Sequence, residues 1–174
     1  MGVKEITHMK KLLLSTLYIL TLVGCNTKKE TALEPTASSE TVEIPTPFIE
    51  VSNLEEAIKE SGFNFTVPES IDGTTPSLFL VYNNELNMIE VRYENDEKVT
   101  YIRKNKGIEE NLSGNYNSFS KTYTTTLNDI EISLRANDDL VYVGEWNKDG
   151  YSYSLDISEG LSEEAFLEIV SSIN

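Results

Sequence analysis

Residues 130–157 read IEISLRANDDLVYVGEWNKDGYSYSLDI, and their period decides the fold. Ile130, Ile132, Leu134 and Ala136 alternate with Glu131, Ser133 and Arg135. Tyr151, Tyr153, Leu155 and Ile157 alternate with Ser152, Ser154 and Asp156. A period of two sends alternate side chains to opposite sides of an extended backbone, giving a sheet with one apolar and one polar face. Asn137-Asp138-Asp139 and Asp149-Gly150 interrupt the pattern with residues that tolerate turns. Links that short join antiparallel neighbours, because parallel strands need a crossover of a dozen or more residues.

Working outward, the period of two is expected from Phe63 onward. Leu78–Tyr82, Met88–Tyr93, Val99–Arg103 and Phe119–Leu127 are enriched in β-branched and aromatic residues. Asn105 to Ser118 is the one long connection and has no clear period. A helix is expected at each end of this region. Ser52 and Glu55 have the spacing of a capping box, Val51, Leu54 and Ile58 recur at helical spacing, and Gly62 supplies a left-handed stop. Ser162 is the expected N-cap of the second helix, with Leu161 and Phe166 at staple positions. Its stripe of Phe166, Ile169, Val170 and Ile173 needs a surface to cover. The expected fold is α+β: a meandering, curved antiparallel sheet of six or seven strands, with both helices packed on one face.

The N-terminal end reads as an address. Lys10 and Lys11 precede a mainly apolar run, Leu12 to Val23, that is shorter than the roughly 20 residues a bilayer requires. Leu22-Val23-Gly24-Cys25 then resembles the lipobox of bacterial lipoproteins, in which the cysteine is acylated and the chain is cut before it. The expectation is a signal peptide over 1–24, cleavage between Gly24 and Cys25, and lipidation of Cys25. Met9 offers a second start. Residues 26–51 hold three of the five prolines among Thr, Ser and Glu, so 25–51 is expected to be a lipidated cysteine on a disordered stalk and 52–174 a single domain.

The second half of that domain resembles the bacterial family called domain of unknown function 4367. The residues that carry the resemblance are Tyr101-Ile102-Arg103-Lys104 with Gly107, Leu112-Ser113-Gly114-Asn115-Tyr116, and Ile130-Glu131-Ile132-Ser133-Leu134. They continue with Val141-Tyr142-Val143-Gly144-Glu145-Trp146, then Asp149-Gly150-Tyr151-Ser152-Tyr153-Ser154-Leu155 and Gly160-Leu161-Ser162-Glu163-Glu164, and the likeness spans 89–174. Gly144 stands where the pattern leads one to expect alanine. The resemblance implies an extracytoplasmic lipoprotein, or the outward-facing part of a regulator similar to anti-sigma factors, and implies no catalytic residues.

Composition narrows the chemistry. There are 29 acidic residues against 14 basic ones, and removal of residues 1–24 would leave 28 against 11. A chain so acidic repels phosphate backbones, so nucleic acid is not an expected partner. The only cysteine and the only histidine, Cys25 and His8, both fall in the N-terminal address, so the domain has neither a thiol nor an imidazole for nucleophilic or metal chemistry. Ser118-Phe119-Ser120-Lys121 matches an S-x-x-K pattern but falls at a strand entry rather than on a helix, and its companion motifs are missing. Asn137-Asp138-Asp139 and Asn147 with Asp149 lack the ordered spacing of a calcium loop. Neither catalytic residue nor metal nor cofactor is therefore expected.

Two groups stand out as a binding surface: the aromatics Trp146, Tyr142, Tyr151 and Tyr153, and the basic cluster Arg103, Lys104 and Lys106. Packing within the sheet is the competing reading for the aromatics, and a solvated hairpin end for the cations. The expected function is a monomeric, non-enzymatic binding or sensing domain on the outer face of a cell membrane, held through the lipid on Cys25, with a protein, peptide or cell-wall partner. The alternatives are a lipid- or lipoprotein-handling module with the sheet as an apolar cradle, and an enzyme that uses neither histidine nor cysteine.

Overall fold

The computed structural model describes residues 47–83, 87–96 and 98–174. The signal, Cys25 and most of the expected stalk lie outside these residues. The elements run β1 (Phe48–Val51), α1 (Leu54–Ser61), β2 (Leu78–Asn83), β3 (Asn87–Asn95), β4 (Lys98–Lys106), β5 (Lys121–Leu127), β6 (Ile130–Asn137), β7 (Leu140–Lys148), β8 (Tyr151–Leu161) and α2 (Glu163–Ser171). The strands form one sheet in the order β1-β2-β3-β4-β8-β7-β6-β5. Every neighbouring pair is antiparallel.

The sheet thus consists of two four-stranded meanders placed side by side. After β4 the chain crosses one face to the far edge and starts again at β5. It then works back until β8 pairs with β4, with Ile102 opposite Leu155 and Arg103 opposite Ser154. The crossover, residues 107–120, is the long connection without a period, and it lies as a strap across the polar face.

The sheet has eight strands rather than six or seven. The additional one is β1, which pairs Phe48 with Tyr82 and Val51 with Phe79. It falls at the end of the expected stalk, so the folded domain begins before residue 52. A four-residue edge strand just after Pro45 and Pro47 carries too little pattern to separate from a proline-rich tether. Residues 63–77 also depart from expectation. They form no strand beyond an isolated bridge between Ile71 and Thr74, yet they bury Phe63, Phe65 and Ile71 in the core. Thr66 and Asn174 exchange backbone hydrogen bonds at 2.7 and 3.1 Å, tying this segment to the end of the chain.

Helix α1 is capped one residue later than the Ser52–Glu55 spacing suggests. Asn53 Oδ1 accepts the Glu56 N–H at 2.9 Å, and Glu56 reaches back to the Ser52 N–H at 2.8 Å. Gly62 closes the helix in the left-handed conformation, at φ 77°. Helix α2 is capped by Ser162 as expected, its side chain accepting from Ala165 N–H. Phe166, Val170 and Ile173 are buried, and Glu168 on the opposite side is exposed. Both helices contribute to one apolar cluster, α1 through Ala57 and α2 through Phe166 and Val170, packed on Val81, Ile89, Ile102, Ile132, Leu134 and Leu155. Gly144 permits this packing. A β-carbon there would lie 2.6 Å from Phe166 Cε1, so the ring occupies the space that alanine would fill.

Candidate binding site

Alternation along β4 separates the basic cluster. Arg103 belongs to the polar face and Lys104 to the apolar one, while Lys106 is exposed at the strand end. The cluster is therefore not a solvated hairpin end. Lys104 is only 6% exposed. Its ammonium donates to the Asn64 carbonyl at 2.7 Å and lies 4.5 Å from the Tyr151 ring and 5.1 Å from that of Tyr153, with Phe63 and Phe65 within 6 Å. Burial, with Lys148 nearby, lowers its pKa from the usual lysine value against the pull of Asp149. Four ring faces replace part of the water that the ammonium has lost. Trp146 stacks on Tyr153 with ring centres 5.4 Å apart and planes 4° from parallel. Three of the four sequence-selected aromatics, Trp146, Tyr151 and Tyr153, thus come together with Lys104 on the apolar side, where they fill space.

The opposite face sets a cluster of charges among the buried Leu80, Met88 and Val143. Glu90 is 1% exposed and sits between two guanidiniums, with Arg92 Nε and Arg103 Nε each 2.5 Å from one of its oxygens. Arg103 also donates to the Ser113 carbonyl of the strap. On β6, Arg135 donates to the Asn115 carbonyl at 2.6 Å and to Ser113 Oγ at 2.5 Å, and lies 3.2 Å from Glu145. Glu145 in turn accepts the Ser113 N–H at 2.8 Å. Arginine suits this work because its fork holds a carboxylate and a carbonyl together. The strap is held as a folded element, and its own Leu112 and Ser113 are buried. Two buried polar atoms on this face, Asn105 Oδ1 and Ser154 Oγ, have no hydrogen-bond partner among the described residues.

Beside the strap opens a pocket of about 570 Å³. Tyr101, Phe119 and Tyr142 wall it, and Asp156, Asn115 and Asn137 supply its polar groups. The rings are held from behind. Arg92 and Arg103 lie 5.2 and 5.0 Å from the Tyr101 centroid, Arg135 lies 5.6 Å from that of Phe119, and Phe119 and Tyr142 are 6.0 Å apart. Asn115 Nδ2 donates to Asp156 Oδ2 at 3.0 Å. The Asp156 carboxyl is nonetheless held above the usual aspartate range. Burial is the main cause and outweighs the Asn115 hydrogen bond and the fields of Arg103 and Arg135. Among the described residues neither lysine nor arginine lines the pocket. Tyr116, between Asn115 and Asn117 on the strap, is 86% exposed.

Of the residues expected to form a binding surface, only Tyr142 lines this pocket, while Arg103 lies behind its wall. Phe119 and Asn137 enter the sequence reading within the S-x-x-K and calcium-loop patterns, and neither Asn115 nor Asp156 carries a site signal there. The available signal was the long connection itself, because an irregular loop of this length inside a domain is more often functional than a short turn.

The apolar face has a smaller cleft of about 340 Å³ between α2 and the 71–74 turn, lined by Ile71, Tyr93, Leu161 and Ile169, with Lys98 bridging Asp72 and Glu159 at its edge. Among the described residues no helix is long and apolar enough to cross a membrane, and no three histidine, cysteine, aspartate or glutamate residues gather as a metal-binding group.

No curated protein and no solved structure matches the chain. A family model does match, and its match starts at Ile58, within α1, so it takes in β2 to β4 of the first meander as well as the second, from which most of the recognisable motifs come. That model is Domain of unknown function (DUF4367), it covers residues 58–173 of 174, which leaves β1 outside the match, and the chain belongs to this family.

Proposed function

We propose that the protein is a lipid-anchored, extracytoplasmic binding protein without catalytic activity, and that its ligand occupies the pocket beside the strap. One observation carries this reading. Most of the apolar face is covered by helices and by the Lys104 aromatic box, leaving a cleft of about 340 Å³, whereas the polar face keeps aromatic rings and hydrogen-bonding groups open around a pocket of about 570 Å³. The anchor rests on the lipobox sequence at Leu22–Cys25. A partner on the outer face of the membrane, whether a protein, a peptide or the wall, is consistent with a tethered domain of this kind.

Replacing Ser118, exposed at the pocket, with the photoreactive residue p-benzoylphenylalanine tests the reading in intact cells. The expected result is an envelope adduct from position 118 and none from the same residue at Lys59, on the exposed side of α1. Equal yields from both positions, or none from 118, would contradict it. Palmitate labelling that persists in Cys25→Ala would contradict the anchor.

The cleft beside α2 favours a second reading, the lipid-handling one. At about 340 Å³ it falls at the low end of ligand pockets. Displacement of a fluorescent fatty acid from the intact chain, abolished by Ile169→Glu, would support that alternative, and no displacement would remove it.

A further inference from the structure

The pocket's donors, acceptors and rings define a ligand class, and the inference rests on the strap-pocket reading above. We propose that the pocket binds a neutral saccharide, with a sugar ring against the faces of Tyr101, Phe119 or Tyr142 and its hydroxyls paired with Asp156, Asn115 and Asn137.

An anionic ligand would need a cation. The pocket has none, because Arg103 and Arg135 are turned to Glu90, Glu145 and the strap carbonyls. The chain's net charge of −15 adds a long-range penalty against phosphates and carboxylates. A purely apolar ligand would strip water from Asp156 and two asparagines and return no hydrogen bonds, leaving each group's desolvation uncompensated. A bare cation would meet a single carboxylate, and that carboxylate already accepts from Asn115.

A pyranose satisfies both halves of the site. Its C–H faces are apolar and match aromatic rings, which present broad area at low entropy cost. Its hydroxyls both donate and accept. A carboxylate accepts from them, and asparagine side chains do both. Among the described residues the second Asp156 oxygen takes no hydrogen bond, and Asn137, whose Oδ1 accepts from the Ser120 N–H at 2.8 Å, keeps its amide N–H groups for a ligand. The volume of about 570 Å³ is ample for one or two sugar rings. The rings and the polar groups are already held by the arginine network, so binding orders little that is not ordered beforehand. Tyr116 extends the aromatic surface beyond the pocket and gives a longer oligosaccharide a further ring to cover.

The test is calorimetric titration of the intact chain in detergent with three probes: chitotriose, cellotriose and an uncharged alanine tetrapeptide. At least one saccharide is expected to bind and the peptide not to. Asp156→Asn and Phe119→Ala should each weaken that binding tenfold or more, Phe119→Tyr should restore it, and Lys106→Ala should leave it unchanged. Melting curves identify any variant that fails to fold, and the isosteric Asp156→Asn stands as the decisive one if Phe119→Ala does. Absence of saccharide binding to the folded protein overturns the proposal, as does binding that both pocket variants leave intact. If adducts still form from position 118 while both saccharides are silent, only the saccharide class is lost. If both measurements are silent, the binding pocket falls with it.

Discussion

The two faces of the sheet are buried by opposite chemistries. One is covered by Phe166, Val170, Ala57 and the 63–77 segment, and its buried strand side chains are apolar apart from Lys104 and Thr100. The other is covered by a strap held through Glu90, Arg103, Arg135 and Glu145. Apolar burial stabilises in rough proportion to area and is tolerant of detail. A buried ion network recovers little more than its desolvation cost, and leaves Ser154 Oγ and Asn105 Oδ1 unpartnered here. The contrast separates what holds the domain together from what fixes a geometry. The second face keeps groups that stability alone would replace with leucine.

The largest expected effects come one from each face. Phe166→Ala should destabilise by about 3–5 kcal/mol, and Glu168→Ala, on the exposed side of α2, by little. Equal melting of the two would mean that α2 is not part of the core. Glu90→Ala should also cost about 3–5 kcal/mol, because it leaves two guanidiniums facing each other. What distinguishes the faces is rescue: adding Arg103→Met to Glu90→Ala should recover part of the loss, a coupling that denaturant titration of the double-mutant cycle would reveal. Strict additivity would show that the network is not a unit.

A smaller effect is expected at Gly144. Gly144→Ala should cost about 1–3 kcal/mol by forcing the Phe166 ring aside, and Phe166→Leu in the same chain should offset it. The alanine that the family resemblance suggests for this position would then be compatible with a smaller residue on α2.

The apolar face was legible in the sequence and the polar face was not. Ile132, Leu134, Leu155 and Ile157 alternate plainly, and the Phe166 stripe has one surface to meet. The same alternation read in the other register gives Glu90, Arg103, Arg135 and Glu145, which pattern alone assigns to solvent. Glu90 is buried and the other three are half-buried because a connection without periodicity lies over this face, and no local rule reports where a long loop returns. Lys104 is a different case, since strict alternation with Ile102 already places it on the apolar side. Strand β1 escaped notice because four residues after two prolines give no period to count.

The smallest expected effect has an unusual sign. Asp156 has a raised folded-state pKa, so its contribution to stability is fully present below the unfolded value of about 3.9 and is lost as pH rises through the folded value. At pH 7 the ionised carboxylate is therefore a cost that asparagine would not carry. Asp156→Asn should raise the thermal midpoint slightly at pH 7, and the gain should vanish in acid near pH 3. A midpoint lowered at pH 7 would mark Asp156 as a structural partner of Asn115 rather than a group kept for a ligand.

The central claim, that the strap face exists to present a ligand site, is tested most directly by the adduct yield from the photoreactive residue at position 118 in the Asp156→Asn chain. The account predicts that the yield falls sharply although the thermal midpoint does not. An unchanged yield in a variant of equal stability would contradict it.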